Sequence, residues 1–156
     1  MICTDTDLYQ LQSDMSLLQT QGQKIVFTNG CFDLLHVGHV RYLQEAKNQG
    51  DVLIVGVNSD ASVQRLKGPQ RPIQTESDRA EILHNLKSVD HVIVFTEDTP
   101  ETIIKKISPD VLVKGGDWSI DQIVGAQEVL ARGGTVKSLT FVDGKSTTQL
   151  IKKSQK

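Results

Sequence analysis

Two histidines, His36 and His39, are the residues of this sequence best suited to chemistry. They lie in the stretch T-N-G-C-F-D-L-L-H-V-G-H, residues 28–39, between a short apolar run and an amphipathic segment. A spacing of three places two side chains on one face of a helical turn, so both imidazoles should point to one spot. A helix N-terminus adds backbone donors there, while Gly30 permits a turn and Gly38 a close ligand approach. The stretch therefore predicts an anion site, and two imidazoles suit transfer at phosphorus.

Other phosphate-binding and catalytic motifs are absent or incomplete in this sequence. No G-x-G occurs, which argues against a dinucleotide-binding dehydrogenase. Gly144-Lys145-Ser146 resembles the end of a P-loop, but Leu139 occupies the position where that loop requires glycine. No serine lies in a G-x-S-x-G elbow. What remains is the pair of histidines, together with lysines and arginines in loops.

The segments around this stretch alternate between strand and helix patterns. Residues 5–20 carry apolar residues at helical spacing, and short apolar strands are predicted near residues 24–28, 51–57, 91–95, 111–113 and 135–139. A continuous helix is expected over about residues 120–131, and Gly50 is expected just past the helix after the histidines. We predict a single doubly wound, parallel, five-stranded α/β sheet with an N-terminal helix. Residues 1–22 would be a helical extension packed on a domain formed by residues 23–156.

The first strand of such a sheet usually lies at the switch point, where ligands bind at the carboxyl ends. The loop after this strand carries the histidines, and the loop after the fourth strand is Lys114 to Trp118. We therefore expect both loops to line one crevice.

Composition limits the classes of partner. The chain has 156 residues, which fits one domain. Its net charge of -2 gives no overall positive potential that would attract nucleic acid or an anionic membrane. Its longest run without a charged side chain is nine residues, Met15 to Gln23, and no signal-peptide pattern is visible. Cys3 and Cys31 form no disulfide or zinc pattern. The expected location is the cytoplasm.

Several motifs together resemble one family. The stretch at residues 28–39 looks like the signature of cytidylyltransferase-like nucleotidyltransferases. Further matches are V-N-S-D at 57–60, R-L-K-G at 65–68, R-P at 71–72, V-K-G-G-D-W at 113–118 and D-G-K-S-T-T at 143–148. This set, covering roughly residues 23–154, is most similar to the adenylyltransferase domain of bacterial heptose-1-phosphate (ADP-heptose) synthases.

The resemblance implies an activity and a set of site residues. The family transfers AMP from ATP to a sugar 1-phosphate and releases pyrophosphate. Carried over, His36, His39 and Lys67 would be catalytic. The nucleotide-binding set would be Asn29, Gly30, Cys31, Phe32, Asp33, Gly38, Arg71, Arg79, Lys114, Gly115, Asp117, Trp118, Ser146, Thr147 and Thr148.

The resemblance also bears on the metal, the partners and the assembly. Mg²⁺ would be held mainly by the ATP phosphates, and Asp33 is either a metal-linked carboxylate or a residue that stabilises its own turn. Many relatives are fused to a sugar kinase, so we expect a separate kinase here, and a homodimer is expected because relatives commonly form one. The implied partners are small molecules, with no nucleic acid and no membrane.

One departure from the superfamily pattern favours ATP over CTP. Cytidylyltransferases usually carry an arginine where this chain has Phe141. Two alternatives stay open: a cytidylyltransferase for glycerol 3-phosphate or an aminoalcohol phosphate, and a nucleotide-binding regulatory domain without turnover.

Overall fold

The computed structural model describes residues 2–3, 7–140 and 147–154. The strands are β1 (Ile2–Cys3), β2 (Ile25–Gly30), β3 (Val52–Asn58), β4 (His91–Phe95), β5 (Val111–Gly115) and β6 (Thr135–Leu139). The helices are α1 (Leu8–Thr20), α2 (Val37–Lys47), α3 (Asp60–Lys67), α4 (Glu76–His84), α5 (Glu101–Ile107), α6 (Ala126–Ala131) and α7 (Thr147–Ser154).

The strands form one parallel sheet in the order β1-β4-β3-β2-β5-β6. The predicted doubly wound α/β class is confirmed, and all five predicted strands are present. The edge strand β1, which pairs with β4 through Ile2 and Cys3, was not predicted from the sequence. Because β2 pairs with β3 on one side and β5 on the other, it lies at the switch point.

Alternation along the strands divides the core between the two faces of the sheet. On β2, Ile25 and Phe27 point to the face covered by α1, α5 and α6, whereas Val26 points to the face covered by α2 and α4. Each of these three side chains is fully buried. Burial on both faces explains why the strands read as continuous apolar runs. The last two residues of β2, Asn29 and Gly30, are half-buried where the strand reaches the carboxyl edge of the sheet.

Two local predictions are corrected by the structure. The continuous helix expected over residues 120–131 is instead a 3₁₀ turn, Ile120–Gln122, followed by α6. Gly125 interrupts it with a φ of 83°, and a Cβ there would lie 2.8 Å from Ile104 Cδ1. The helix after the histidines ends at Lys47 with Asn48 as C-cap, and Gly50 lies in the following turn, where a Cβ would meet Lys24 O at 2.8 Å.

Candidate active site

A cavity of about 610 Å³ opens at the carboxyl ends of β2, β3 and β5, at the start of α2. Most of the predicted site residues line it. These are Asn29, Gly30, Cys31, Phe32, Asp33, His36, His39, Lys67, Arg71, Lys114, Gly115, Trp118, Thr147 and Thr148. Gly38, Arg79 and Asp117 do not line it, and Ser146 lies outside the described residues, as does Phe141.

The two imidazoles stack against each other at the start of α2. Their ring centroids are 3.9 Å apart with an interplanar angle of 27°. His36 is the extended N-cap residue rather than part of the first turn, and its Nδ1 accepts the Gly38 backbone N–H at 3.1 Å. His39 Nδ1 accepts the backbone N–H of His36 at 3.4 Å. Because each Nδ1 is an acceptor, the neutral ring carries its hydrogen on Nε2.

His39 is uncharged at neutral pH in this arrangement. Burial lowers the pKa of His39 to about 4, and the adjacent His36 acts in the same direction. The edge of the Phe32 ring contacts His39 with centroids 5.4 Å apart. Phe32 has a φ of 48°, in the left-handed region that few side chains adopt. Gly30 makes room for this ring, because a Cβ there would lie 3.0 Å from Phe32 Cε2.

Asp33 stabilises the loop that leads from α3 to α4. Its buried carboxylate accepts hydrogen bonds from Arg71 Nε at 2.5 Å, from the Ile73 N–H at 2.8 Å and from the Gln74 N–H at 3.0 Å. Burial tends to raise the pKa of Asp33, but these hydrogen bonds outweigh it and lower that pKa below its usual value. The interpretation of Asp33 as a residue that stabilises its own turn is therefore corrected: its carboxylate bonds residues 38 to 41 positions further along the chain.

Arg79 lies in the interior rather than on the cavity wall expected for a nucleotide contact. Its guanidinium donates to Gln74 O, Cys31 O, Asn58 O and Asp60 Oδ1 at 2.7–3.1 Å. The side chain is fully buried. Because these bonds are all internal, Arg79 can influence a ligand only through the loops that it joins.

The cavity has two chemically different flanks on either side of β2. On the β5 side, Lys114 lies with Nζ 5.9 Å from the Trp118 ring, and Trp118 Nε1 donates to Gly115 O at 3.1 Å. Leu112, Ile123 and Val124 continue this flank as an apolar wall. Burial lowers the pKa of Lys114. The β3 and β4 side is polar and is lined by Asn58, Lys67, Arg71, Asp98 and Thr99.

The last helix closes the cavity beside the histidine loop. Thr147 Oγ1 donates to Leu34 O at 3.0 Å, which ties the start of α7 to the segment before His36. Thr148 is exposed and lines the cavity. The start of α7 thus lines the same cavity as the two histidines.

Sequence reasoning missed several wall residues. Tyr42, whose hydroxyl contacts Thr28 Oγ1 at 2.5 Å, lies on the inner face of α2. Asp98 and Thr99 follow β4, two strands away from β2. Their position at the carboxyl end of a parallel strand was a usable signal.

The described residues do not offer a protein-held metal site. Within residues 2–3, 7–140 and 147–154, no group of three His, Cys, Asp or Glu side chains is placed to hold an ion. Both oxygens of Asp33, the carboxylate considered from the sequence, already accept internal hydrogen bonds. The described side chains therefore do not form a site that would bind a metal ion without further ligands.

No helix in the part of the chain that the structure describes is both long enough and apolar enough to cross a bilayer.

Comparisons with known proteins agree with this geometry. The family model described as cytidylyltransferase-like matches residues 27–153. The bifunctional protein HldE of Haemophilus ducreyi is 61% identical over 88% of this chain and 29% of its own length, and HldE of Azotobacter vinelandii is 58% identical over 94% and 31%. The chain thus spans about 30% of the length of these curated relatives.

A solved structure is also similar. The lipopolysaccharide core biosynthesis protein from Thermoplasma volcanium superposes with a TM-score of 0.62 at 32% identity, over 80% of this chain and all of that one. The resemblance seen in the sequence motifs is therefore confirmed, and this chain is a nucleotidyltransferase that belongs to the cytidylyltransferase-like family.

Proposed function

We propose that this enzyme transfers AMP from ATP to a sugar 1-phosphate, a D-glycero-manno-heptose 1-phosphate, and releases pyrophosphate. The product would be an ADP-sugar for lipopolysaccharide or another surface glycan. Support comes from the HldE relatives, of which only about 30% aligns with this chain, and from the similarity to the Thermoplasma lipopolysaccharide core biosynthesis protein. The observation that carries the chemistry is the stacked pair of histidines whose Nδ1 atoms are held by backbone N–H groups.

His39 would act as a neutral hydrogen-bond donor to the triphosphate, and His36 would donate beside it. An oxygen of the acceptor phosphate attacks the α-phosphorus in line, and the bond from this phosphorus to the bridging oxygen of the leaving group breaks. Negative charge grows on the non-bridging oxygens and on the departing pyrophosphate, where the Nε2–H donors and the positive end of α2 would stabilise it. With both substrates aligned in the cavity, no covalent enzyme intermediate is needed.

The two flanks suggest how the substrates are arranged. The apolar wall on the β5 side, with Trp118 and a glycine pair that leaves backbone accessible, suits the flat base of ATP. The polar flank suits the hydroxylated acceptor. Lys67, at the exposed end of α3, and Arg71, held at Nε by Asp33, would neutralise phosphate charge between them.

Mg²⁺ would be coordinated by the phosphates of ATP, since the described side chains do not form a site for it. The bound ion would neutralise part of the triphosphate charge. The histidines, Lys67 and Arg71 would stabilise the remaining negative charge.

A substrate panel tests the assignment. Pyrophosphate release is measured with ATP or CTP against heptose 1-phosphate, other sugar 1-phosphates, glycerol 3-phosphate and phosphoethanolamine. We expect ATP with heptose 1-phosphate to give the highest kcat/KM. A preference for CTP would move the assignment to a cytidylyltransferase, and nucleotide binding without turnover would indicate a regulatory domain.

A further inference from the structure

Asp98 is a carboxylate in a cavity whose lining also includes the cations Lys67, Arg71 and Lys114. Among the described residues that line the cavity, the carboxylates are Asp33 and Asp98. The carboxylate of Asp33 is occupied by Arg71, Ile73 and Gln74. Asp98 uses Oδ1 to accept from Arg65 Nε at 2.8 Å, while its Oδ2 accepts no hydrogen bond from the part of the chain that the structure describes.

The loop that carries Asp98 is fixed from α3 by several hydrogen bonds. Arg65 Nη2 donates to Thr96 O at 2.5 Å, and Ser62 Oγ donates to Glu97 O at 3.0 Å. At the start of the loop, the Ser59 N–H donates to Phe95 O at 2.8 Å. These bonds fix the backbone of residues 95–97, so Asp98 follows a segment that is already in place at the cavity wall.

Stability alone does not explain the ion pair between Arg65 and Asp98. Their side chains are 48% and 53% exposed. Exposed pairs of this kind contribute little, typically about 0–1 kcal/mol. The pair instead occupies one carboxylate oxygen of Asp98, Oδ1, and leaves Oδ2 available to a ligand in the cavity that this residue lines.

The position of Asp98 matches the far end of the acceptor. It follows β4, which is separated from β2 by β3 alone. Two sheet steps of about 4.8 Å place the carboxyl end of β4 roughly 10 Å from that of β2, which leads to the histidines. This separation is comparable to the reach of a heptose from its anomeric phosphate to its terminal hydroxyls, and the neutral amide of Asn58 lies between the two ends.

We propose that Asp98, positioned by Arg65, determines acceptor specificity by accepting hydrogen bonds from hydroxyls at the end of the sugar far from its phosphate. A carboxylate repels phosphate but is a strong acceptor for neutral hydroxyls. It therefore orients the sugar, with the phosphate toward the histidines and the hydroxyls toward β4. This inference rests on the proposed function, because it assumes a polyhydroxylated acceptor.

The test uses Asp98→Ala and Asp98→Asn, with Glu45→Gln on the outer face of α2 as a matched carboxylate control. A hydrogen bond to a charged group is worth about 1.5–3 kcal/mol, which corresponds to roughly 10- to 100-fold. We expect the KM for heptose 1-phosphate to rise about 10-fold or more in Asp98→Ala, while the KM for ATP changes less than about 2-fold. Equal changes in the two KM values would overturn the proposal.

A deoxygenated acceptor separates recognition from a structural effect. The wild type should prefer heptose 1-phosphate over its terminal deoxy analogue by about 10-fold, and Asp98→Ala should abolish that preference. An unchanged preference in Asp98→Ala would overturn the assignment, whatever the variant does to stability. If Asp98→Ala instead lost mainly its turnover of phosphoethanolamine, the assignment would also be overturned, because the carboxylate would then bind the ammonium group of that acceptor.

Calorimetry of acceptor binding keeps this test independent of catalysis. If the wild type turns over no acceptor, the proposed function fails, yet heptose 1-phosphate binding can still be compared with and without Asp98. Weaker binding to Asp98→Ala than to wild type and Glu45→Gln supports the contact. Equal binding to all three proteins overturns it.

Discussion

Among single residues, His36 and His39 carry the feature most relevant to function, which is the tautomer of their imidazoles. Backbone N–H groups occupy both Nδ1 atoms, so the hydrogens are on Nε2, and the pKa of about 4 keeps His39 neutral at physiological pH. The hydrogen bond from a neutral N–H donor strengthens as negative charge develops on a phosphate oxygen, and the donor keeps its proton. His39 is thus arranged for electrostatic stabilisation rather than for general acid chemistry.

Replacing His39 tests this role directly. We expect His39→Ala to lower kcat at least ~100-fold, the size typical of losing one donor to a developing oxyanion. His39→Gln should recover part of the loss, because the glutamine amide nitrogen can take the place of Nε2–H. Steady-state pyrophosphate release measures both, with His84→Gln, outside the cavity, as control. Near-normal turnover of His39→Ala would remove this histidine from the mechanism.

At the scale of elements, Arg79 joins the structures that surround the site. From α4 it bonds the loop after β2 through Cys31 O, the end of β3 through Asn58 O and the start of α3 through Asp60. The first two of these residues line the cavity, and α3 carries Lys67 to its wall. A buried guanidinium bonded to all these acceptors fixes the three segments relative to one another. This is a structural role and does not involve a contact with the ligand.

Loss of Arg79 should therefore destabilise the fold before it affects chemistry. Arg79→Met removes the donor to Asn58 O, Cys31 O and Gln74 O and breaks the ion pair with the partly exposed Asp60, which should lower the free energy of unfolding by about 2–4 kcal/mol. Arg65→Met, at the exposed pair with Asp98, should cost at most about 1 kcal/mol. Urea denaturation measures both. Similar losses in the two variants would contradict the structural role given to Arg79.

The alternation of strand and helix patterns was sufficient to predict the sheet and its switch point, because buried parallel strands have a strong local signature. The edge strand Ile2–Cys3 has no such signature, since two residues carry no period and the pairing depends on β4. The break at Gly125 was missed because an isolated glycine within an apolar periodic run is compatible with a continuous helix.

Within the site, motif residues predicted the cavity wall but not the partners of its charged groups. Asp33 and Arg79 were both predicted to contact the nucleotide, and each also forms hydrogen bonds to residues more than ten positions away in the chain. Such contacts depend on tertiary geometry that spacing cannot give. Asp98, by contrast, lies in no motif and was missed for that reason. Only the order of the strands in the sheet brings it to the cavity.

At the scale of the whole molecule, several groups carry depressed pKa values that link folding to pH. Burial lowers the pKa of His91 at the start of β4, and the nearby acids Asp90 and Asp14 only partly offset this. The pKa of His39 is shifted in the same direction, from 6.5 to about 4. The unfolded chain therefore binds more protons than the folded one between these values, so folding must weaken as pH falls through this interval.

We expect the urea midpoint to be nearly constant between about pH 7 and 8 and to fall as the pH is lowered from about 6.5 toward 4, where unfolding takes up protons at His39 and His91. Asp33 extends the decline at lower pH, because its folded pKa lies below the unfolded value and its hydrogen bonds are lost as it protonates. The double variant His39→Gln, His91→Gln should flatten the histidine part of the curve and retain the acid limb. A midpoint that rises on acidification, or a double variant with the wild-type slope between pH 6.5 and 4, would contradict this linkage.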